Sequence, residues 1–408
     1  CYGKGVILIT ATPQNNTILD IANLITLFQD ARNSSIIPGN NNLEKYFNDL
    51  YKEVKNSNNN PEVVSKVAAE IRDNVLRHVL IRRTRKEITE YYKEDLDKQG
   101  LVFPNVNDPI RVDYAYDEEM EKTFNDTIEL LKEFSYARYA PLLYLKNKKK
   151  LGSNKARQQN MVGFVKTMLV KRLESSIYAF LESITRLEKS SEGFINLYNK
   201  GKILVGASKT KHDYYDLDKM EEEAFNLFID VNDVDCFTPD EFVEDYIDKV
   251  KADDQILRTI HAMWSKYDIQ TRDEKYNRLK HYIDNINEKE KLIIFSEAKD
   301  TVIYLKNKLE NDYGDIVIDF CGSDSQTKKK YIQKNFDPKF EKEGVNDKRI
   351  LVTTDTLSEG INLHKASIIF NYDLPWNPTR VMQRIGRINR VGSKNDQLYV
   401  YNFFPRAN

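Results

Sequence analysis

The residues with most to offer chemically lie in the run QRIGRINRVG, Gln383 to Gly392, where arginine recurs at every third position as Arg384, Arg387 and Arg390. A guanidinium is permanently charged and meets phosphate oxygens two at a time. A pair of them therefore suits a triphosphate whose transition state spreads charge over the γ-phosphoryl oxygens, and such arginine fingers are worth about 10³ to 10⁵ in rate. The spacing predicts a helix over 379–391. At about 100° per residue, Gln383, Arg387 and Arg390 would then fall within roughly a 60° arc, with Val381, Ile385 and Ile388 opposite and Arg384 off the arginine face. A lone surface arginine is ordinarily solvated or ion-paired. Two in register beside a glutamine, with Gly386 and Gly392 close by, ask for a stronger explanation.

Arginines of this kind act on a phosphate that something else must hold. A P-loop needs G-x-x-x-x-G-K-[ST], so that backbone amides cradle the phosphates and the lysine reaches the β/γ pair. The sequence contains no match: GKG at Gly3–Gly5 is too short, and GSNKARQ from Gly152 has neither the spacing nor a preceding strand.

The elements that must position these residues follow from the rest of the 408-residue chain, a length at which several domains are expected. Apolar residues make up 40% and charged residues 31%, enough for buried cores under a highly charged surface. The longest apolar runs, VILI and LIIF, have strand length, far short of the roughly 20 residues that cross a bilayer, so no membrane partner is expected. Cys1, Cys236 and Cys321 are scattered without a C-x-x-C pair, which argues against a disulfide framework or a zinc site and fits a reducing, cytoplasmic setting. The net charge of -1 hides a polarity: about +9 over residues 141–202 and about -13 over 212–256. The basic face, with Lys166, Lys171 and Arg172, is either a solvated helix surface or a track for nucleic-acid phosphates.

GVILITATP reads as a buried strand, followed by helices over 17–31, 40–54 and 61–88 and an alternating strand at 111–116, with Asp117 capping the next helix. Residues 160–200 carry an apolar stripe suited to one long bundle helix. From Lys291 the chain alternates strand and helix through KLIIF, TVIYLKNKLEND, DIVIDF, QTKKKYIQKNF, RILVTTD, ASIIFNYD, the arginine helix and QLYVYNFF, which implies a parallel α/β sheet with crossover helices.

QRIGRINRVG resembles motif VI of superfamily two helicases and translocases, and LVTTDTLSEGINL (Leu351–Leu363) resembles their motif V. The linking NYDLPWNPTRVMQ is similar to the Swi/Snf branch, including bacterial members such as the RNA-polymerase-recycling ATPases. ILITATPQNN looks like motif III, LIRRTRKEI like the Swi/Snf LRRTK segment, and KLIIFSE and FCGSDS like motif IV and its following strand, all in family order. The resemblance implies an α/β fold: a remnant of a first RecA-like lobe at 1–116, a helical insertion at 117–285 open to a protein partner, and a second RecA-like lobe at 286–408.

The resemblance also implies roles. Arg387 and Arg390 would be the fingers on the γ-phosphate of ATP, with Gln383 positioning the nucleotide or its attacking water. Gly360, Glu359 and Asn362 would lie beside the nucleotide. Thr353, Thr354, Ser296, Gly322 and Ser323 would face the backbone of a nucleic acid, double-stranded DNA above all, and Thr10, Ala11 and Thr12 would couple hydrolysis to lobe movement. The P-loop and the Asp-Glu box for Mg²⁺ are expected upstream of Cys1, making this chain the C-terminal half of a motor and inactive alone. A strand-separating helicase, a restriction-type motor and a P-loop-less binding or scaffold protein stand as alternatives.

Overall fold

The computed structural model describes residues 5–10, 17–147, 154–201, 203–206, 234–358 and 361–406. The chain divides into two compact units, one of residues 1–103 with 375–383, the other of 104–374 with 384–408.

The first unit is helical. Its core gathers Ile21 and Ile25 from α1 (Leu19–Thr26), Leu43, Phe47 and Leu50 from α2 (Leu43–Asn56), and Val67 and Ile71 from α3 (Pro61–Ile71). Asn42 and Asn60 cap α2 and α3 with their side chains, satisfying amides that a helix start leaves orphaned. The helical run from Pro61 was expected to reach Ile88. It stops at Val79 because Thr84 and Glu87 form a capping box that starts a new helix, α4 (Arg85–Tyr91), followed by α5 (Lys93–Gln99). The strand expected in GVILITATP is a correction: residues 5–10 are irregular, with Ile7 88% and Ile9 95% exposed. A strand exists only through hydrogen bonds to a neighbour. Among the described residues of this unit, the β-pairing is an isolated bridge between Ile37 and Asn40.

The second unit opens with β1 (Asn105–Val106) and β2 (Ile110–Tyr114), placed by the sequence with the first segment. Both instead pair in parallel with the last strand of the chain. Asp117 caps α6 (Glu118–Glu133) as expected. The stripe expected to form one long helix forms two, α7 (Asn154–Ser175) and α8 (Ile177–Asn199). Between them Ser176 is extended, and its hydroxyl accepts the N–H of Ala179, so a serine that can cap a helix interrupts one. An antiparallel pair, β3 (Ile203–Gly206) with β4 (Val234–Phe237), and α9 (Tyr246–Ser265) complete this region. Its core centres on Leu169, Leu173, Phe180, Ile184, Leu257 and Trp264.

The rest alternates as the sequence implies: α10 (Glu274–Asp284), β5 (Lys291–Phe295), α11 (Lys299–Tyr313), β6 (Val317–Phe320), α12 (Gln326–Phe336), β7 (Ile350–Thr353), β8 (Ala366–Asn371), α13 (Pro378–Ile388) and β9 (Gln397–Pro405). The seven-stranded sheet runs β1-β9-β8-β5-β7-β6, with β2 also on β9, and every pairing in it is parallel. The α/β class expected from the sequence is the class observed.

A parallel strand covered on both faces must be apolar at successive positions, and β5, β7 and β8 are buried throughout. Leu292, Ile294, Ile350, Val352 and Phe370 pack on Leu279, Ile283, Leu305 and Leu309. Ile293, Phe295, Leu351 and Ile369 pack on the other face with Ile332, Phe336 and Ile388. Truncating a side chain at the centre of this sandwich removes contacts on all sides. Ile294→Ala should cost about 2–5 kcal/mol in urea unfolding, whereas Ile303→Ala, 37% exposed on α11, should cost under about 1 kcal/mol. Equal losses would show that the sheet is not the stabilising core.

Candidate functional site

Because β5, β6, β7 and β8 are parallel, the residues that follow them collect on one edge: Ser296, Cys321 to Ser323, Thr354 and Asp373. Backbone bonds lock the turns together, Ser296 N to Thr353 O at 3.0 Å, Thr354 N to Phe320 O at 3.3 Å and Tyr372 N to Phe295 O at 2.9 Å.

The five residues expected to face a nucleic acid separate into two kinds. Ser296 and Thr353 are fully buried. The Thr353 hydroxyl donates at 2.9 Å to the carbonyl of Phe320, and that of Ser296 donates to Asp373 at 2.6 Å, so neither side chain is offered outward. This corrects the expectation for their hydroxyls. Thr354 is nearly buried and its hydroxyl lies 2.6 Å from that of Thr356. Gly322 and Ser323 are exposed, and Lys299 Nζ donates to the Ser323 hydroxyl at 3.1 Å. A Cβ at Gly322 would lie 3.0 Å from Thr356 Cγ2, a tight contact that a side chain there would oblige Thr356 to relieve. Asn362 is half-buried, and Thr10 is exposed in the first unit. Glu359, Gly360, Ala11 and Thr12 lie outside the described residues, as do residues 212–233 of the acidic block expected over 212–256.

The arginine run departs from expectation twice. The helix ends at Ile388, not 391: Asn389 N still reaches Ile385 O, but Arg390 N turns to Ile388 O and Gly392 adopts φ +80°, a conformation that suits glycine. Gln383 and Arg387, four residues apart, share a helix face. Arg390 stands beyond the helix, so the arc of three does not form. Arg387 is half-buried and Arg390 exposed.

Arg384 is the second departure, and the residue that sequence reasoning missed. It is 0% exposed. Its Nε and Nη2 donate to the two carboxylate oxygens of Asp355 at 2.6 and 2.7 Å, and Nη1 donates to Asn371 Oδ1 and to the carbonyl of Asp373, both at 3.0 Å. Its plane also lies over the ring of Phe295 at 5.1 Å. Burial opposes its charge, but the hydrogen bonds and charge of Asp355, with Asp373 and Glu297 beyond, hold its pKa above the ordinary value. The arginine that helical geometry set aside thus ties the second half of α13 to the ends of β7 and β8. A signal was present in the carboxylates of TTD and NYD, each just past a strand.

Several carboxylates at this edge are held by cations. Asp319 and Asp324, with Cys321 the metal-like cluster of the described residues, hold Lys328 Nζ at 2.9 and 3.2 Å. Lys171 pairs with Glu297 at 2.7 Å, and Arg172, 7% exposed, lies 3.5 Å from Asp300. Two of the three cations expected on a phosphate track therefore face the protein. Lys166, the third, donates to the carbonyl of Lys132.

Residues 274–392 match the model of the helicase conserved C-terminal domain. This stretch carries a helicase C-terminal domain. An uncharacterized ATP-dependent helicase of Bacillus subtilis, YqhH, is 35% identical over 144 residues, 35% of this chain and 24% of its own length. The ATP-dependent RNA helicase eIF4A of Candida albicans is 31% identical over 146 residues, 36% of this chain and 34% of its own length. The chain thus spans a quarter to a third of these relatives. The C-terminal part of the Fun30 ATPase domain aligns over 73% of this chain and 86% of its own at 16% identity, with a TM-score of 0.34.

Two measurements test the electrostatics of this helicase C-terminal domain. Arg384→Ala strands the Asp355 carboxylate inside the protein and should cost about 3–5 kcal/mol in urea unfolding, while Arg390→Ala should stay within about 0.5 kcal/mol. Comparable small losses would show that Arg384 is no clamp. His364, beside Arg390, is half-buried, and desolvation, with Arg390 adding to it against Asp337, lowers its pKa below the ordinary 6.5. The unfolded chain therefore binds this proton first, and stability should be lost as pH falls through 6.5 toward the folded value. Unfolding at pH 7.5 and 5.5 should show a smaller acid loss for His364→Gln than for the wild type; an equal loss contradicts the assignment.

Proposed function

We propose that this chain supplies the second lobe of an ATP-dependent nucleic-acid translocase of Swi/Snf type acting on double-stranded DNA. The observation that carries the reading is the division of labour among three arginines: Arg384 is sealed on Asp355, while Arg387 and Arg390 are the half-buried and exposed guanidiniums of the same run. A buried clamp fixes the segment, and a guanidinium fixed in this way loses little freedom when it meets an anion.

In this reading Arg387 and Arg390 face the γ-phosphate of ATP, Gln383 positions the nucleotide or its water, and Glu359, Gly360 and Asn362 flank it. The P-loop, on this polypeptide or another, holds the β- and γ-phosphates. Mg²⁺ belongs with it, because Asp355, Asp319, Asp324 and Glu297 are each engaged by a cation here. A lobe of this kind supplies charge stabilisation to the transferring phosphoryl group and takes no part in covalent chemistry. On the nucleic acid, Gly322, Ser323 and the backbone at Thr354 meet phosphates without reading sequence. The exposed apolar run Val6 to Ile9 fits a strand that finds its sheet beside a P-loop lobe, with Thr10, Ala11 and Thr12 at its end as coupling residues. In the same reading the chain divides into segments 1–116, 117–285 and 286–408, with β1 and β2 of the first segment lent to the second lobe's sheet.

The relatives named as RNA helicases favour a second reading, an RNA-directed motor. Two assays separate the possibilities in the protein joined to its P-loop lobe. Nucleic-acid-stimulated ATP turnover should fall about 10³-fold or more for Arg387→Ala or Arg390→Ala, with binding of duplex DNA nearly unchanged. The wild type should displace a triplex strand without unwinding the duplex. Turnover that survives both substitutions removes the arginine assignment; stimulation by RNA alone replaces the DNA translocase with the second reading, and unwinding of the duplex replaces it with a strand-separating helicase.

A further inference from the structure

The break between α7 and α8 is fastened to the same edge of the sheet as the arginine segment. Asp373 stands at the junction. One oxygen of its carboxylate accepts the hydroxyls of Ser175 and Ser296, each at 2.6 Å, and the other accepts the N–H of Glu297 at 2.6 Å. Its own carbonyl accepts Nη1 of Arg384 at 3.0 Å. A single residue thus contacts the helical region through its side chain and the buried guanidinium through its backbone.

The surrounding bonds make the fastening stiff. Thr301 Oγ1 lies 2.8 Å from the hydroxyls of both Ser175 and Ser176. Lys275 is buried and donates to the carbonyls of Glu174 and Ser175 at 2.6 and 2.9 Å, filling acceptors that the end of α7 leaves open. Its ammonium sits 4.2 Å above the ring of Tyr372, the neighbour of Asp373. Further along α8, Arg186 grips Asp300 at the start of α11 with two bonds of 2.7 Å. Helices that only needed to pack on a sheet would do so with apolar contacts, because a carboxylate among hydroxyls is costly unless its acceptors are filled. The polar junction adds direction, and hydroxyls and guanidinium share one short stretch of backbone.

We infer that Asp373 is a positioning residue that couples the α7–α8 arm to the arginine segment, so that displacement of the arm is transmitted through Ser175, Asp373 and Arg384 to residues 384–390. Displacement of the arm would then regulate the arginines. That consequence rests on the nucleotide reading above; the coupling itself does not, since it is measured without nucleotide or nucleic acid.

Native-state hydrogen exchange on the full chain, followed by mass spectrometry, tests it. Ser175→Ala removes the hydroxyl that donates to Asp373 and should speed exchange in residues 384–389 about ten-fold, the order expected for one lost hydrogen bond to a charged group. Ser176→Ala removes the cap of α8 and the contact to Thr301 without touching Asp373. It should loosen 177–180 and leave 384–389 unchanged. Protection of 384–389 that is untouched by Ser175→Ala, or lost equally in both variants, overturns the coupling. Should Ser175→Ala fail to fold, the wild type in graded urea carries the test alone. Residues 177–180 and 384–389 should open with one urea slope and one free energy, and separate openings overturn the coupling equally well.

Discussion

The ion pair of Arg384 with Asp355 is the constraint on which the candidate site depends. A guanidinium with no exposure to water is tolerable only when its donors and its charge are matched, and Asp355, Asn371 and the carbonyl of Asp373 match them. Those three partners sit at the ends of β7 and β8, so the pair draws the loops after the two strands that flank β5 and the second half of α13 into one rigid corner. Arg387 and Arg390 inherit their places from that corner. Ile385 and Ile388, packed on the sheet, fix the rotation of the helix from its apolar side.

The sheet supplies the frame. With every strand parallel, the residues that follow β5, β6, β7 and β8 are brought to one edge, though more than 70 residues separate Ser296 from Asp373 in the chain. The same edge receives the end of α7 through Ser175. The helical region is therefore joined to the sheet by the polar groups nearest the arginines as well as by its own apolar core, which explains why residues 104–374 and 384–408 form one compact unit.

Much of this was legible in the amino-acid sequence, and the misses have physical causes. The apolar strands alternating with helical runs from Lys291 onward read directly as a parallel α/β sheet, because short, wholly apolar runs separated by helical segments are what strands covered on both faces require. The joining of β2 to that sheet was not legible: Ile110–Tyr114 alternates like any edge strand, and pairing partners about 290 residues away carry no local signal. The stripe over 160–200 concealed the break at Ser176, since apolar spacing persists across a cap. Helical spacing cast Arg384 as the odd arginine out. It was odd because it faces the interior, which a wheel of charges cannot reveal without the buried acceptors. The same wheel carried Arg390 onto a helix that the turn at Gly392 ends earlier.

The measurement that bears most directly on the central claim is a structure of this chain joined to its P-loop lobe, with Mg²⁺, ADP and a planar analogue of the transferring γ-phosphoryl group. The account predicts guanidinium nitrogens of Arg387 and Arg390 about 3 Å from the analogue, with Arg384 still closed on Asp355. Arg384 turned out of its pocket onto the nucleotide, or Arg387 and Arg390 directed away from the analogue, would contradict it.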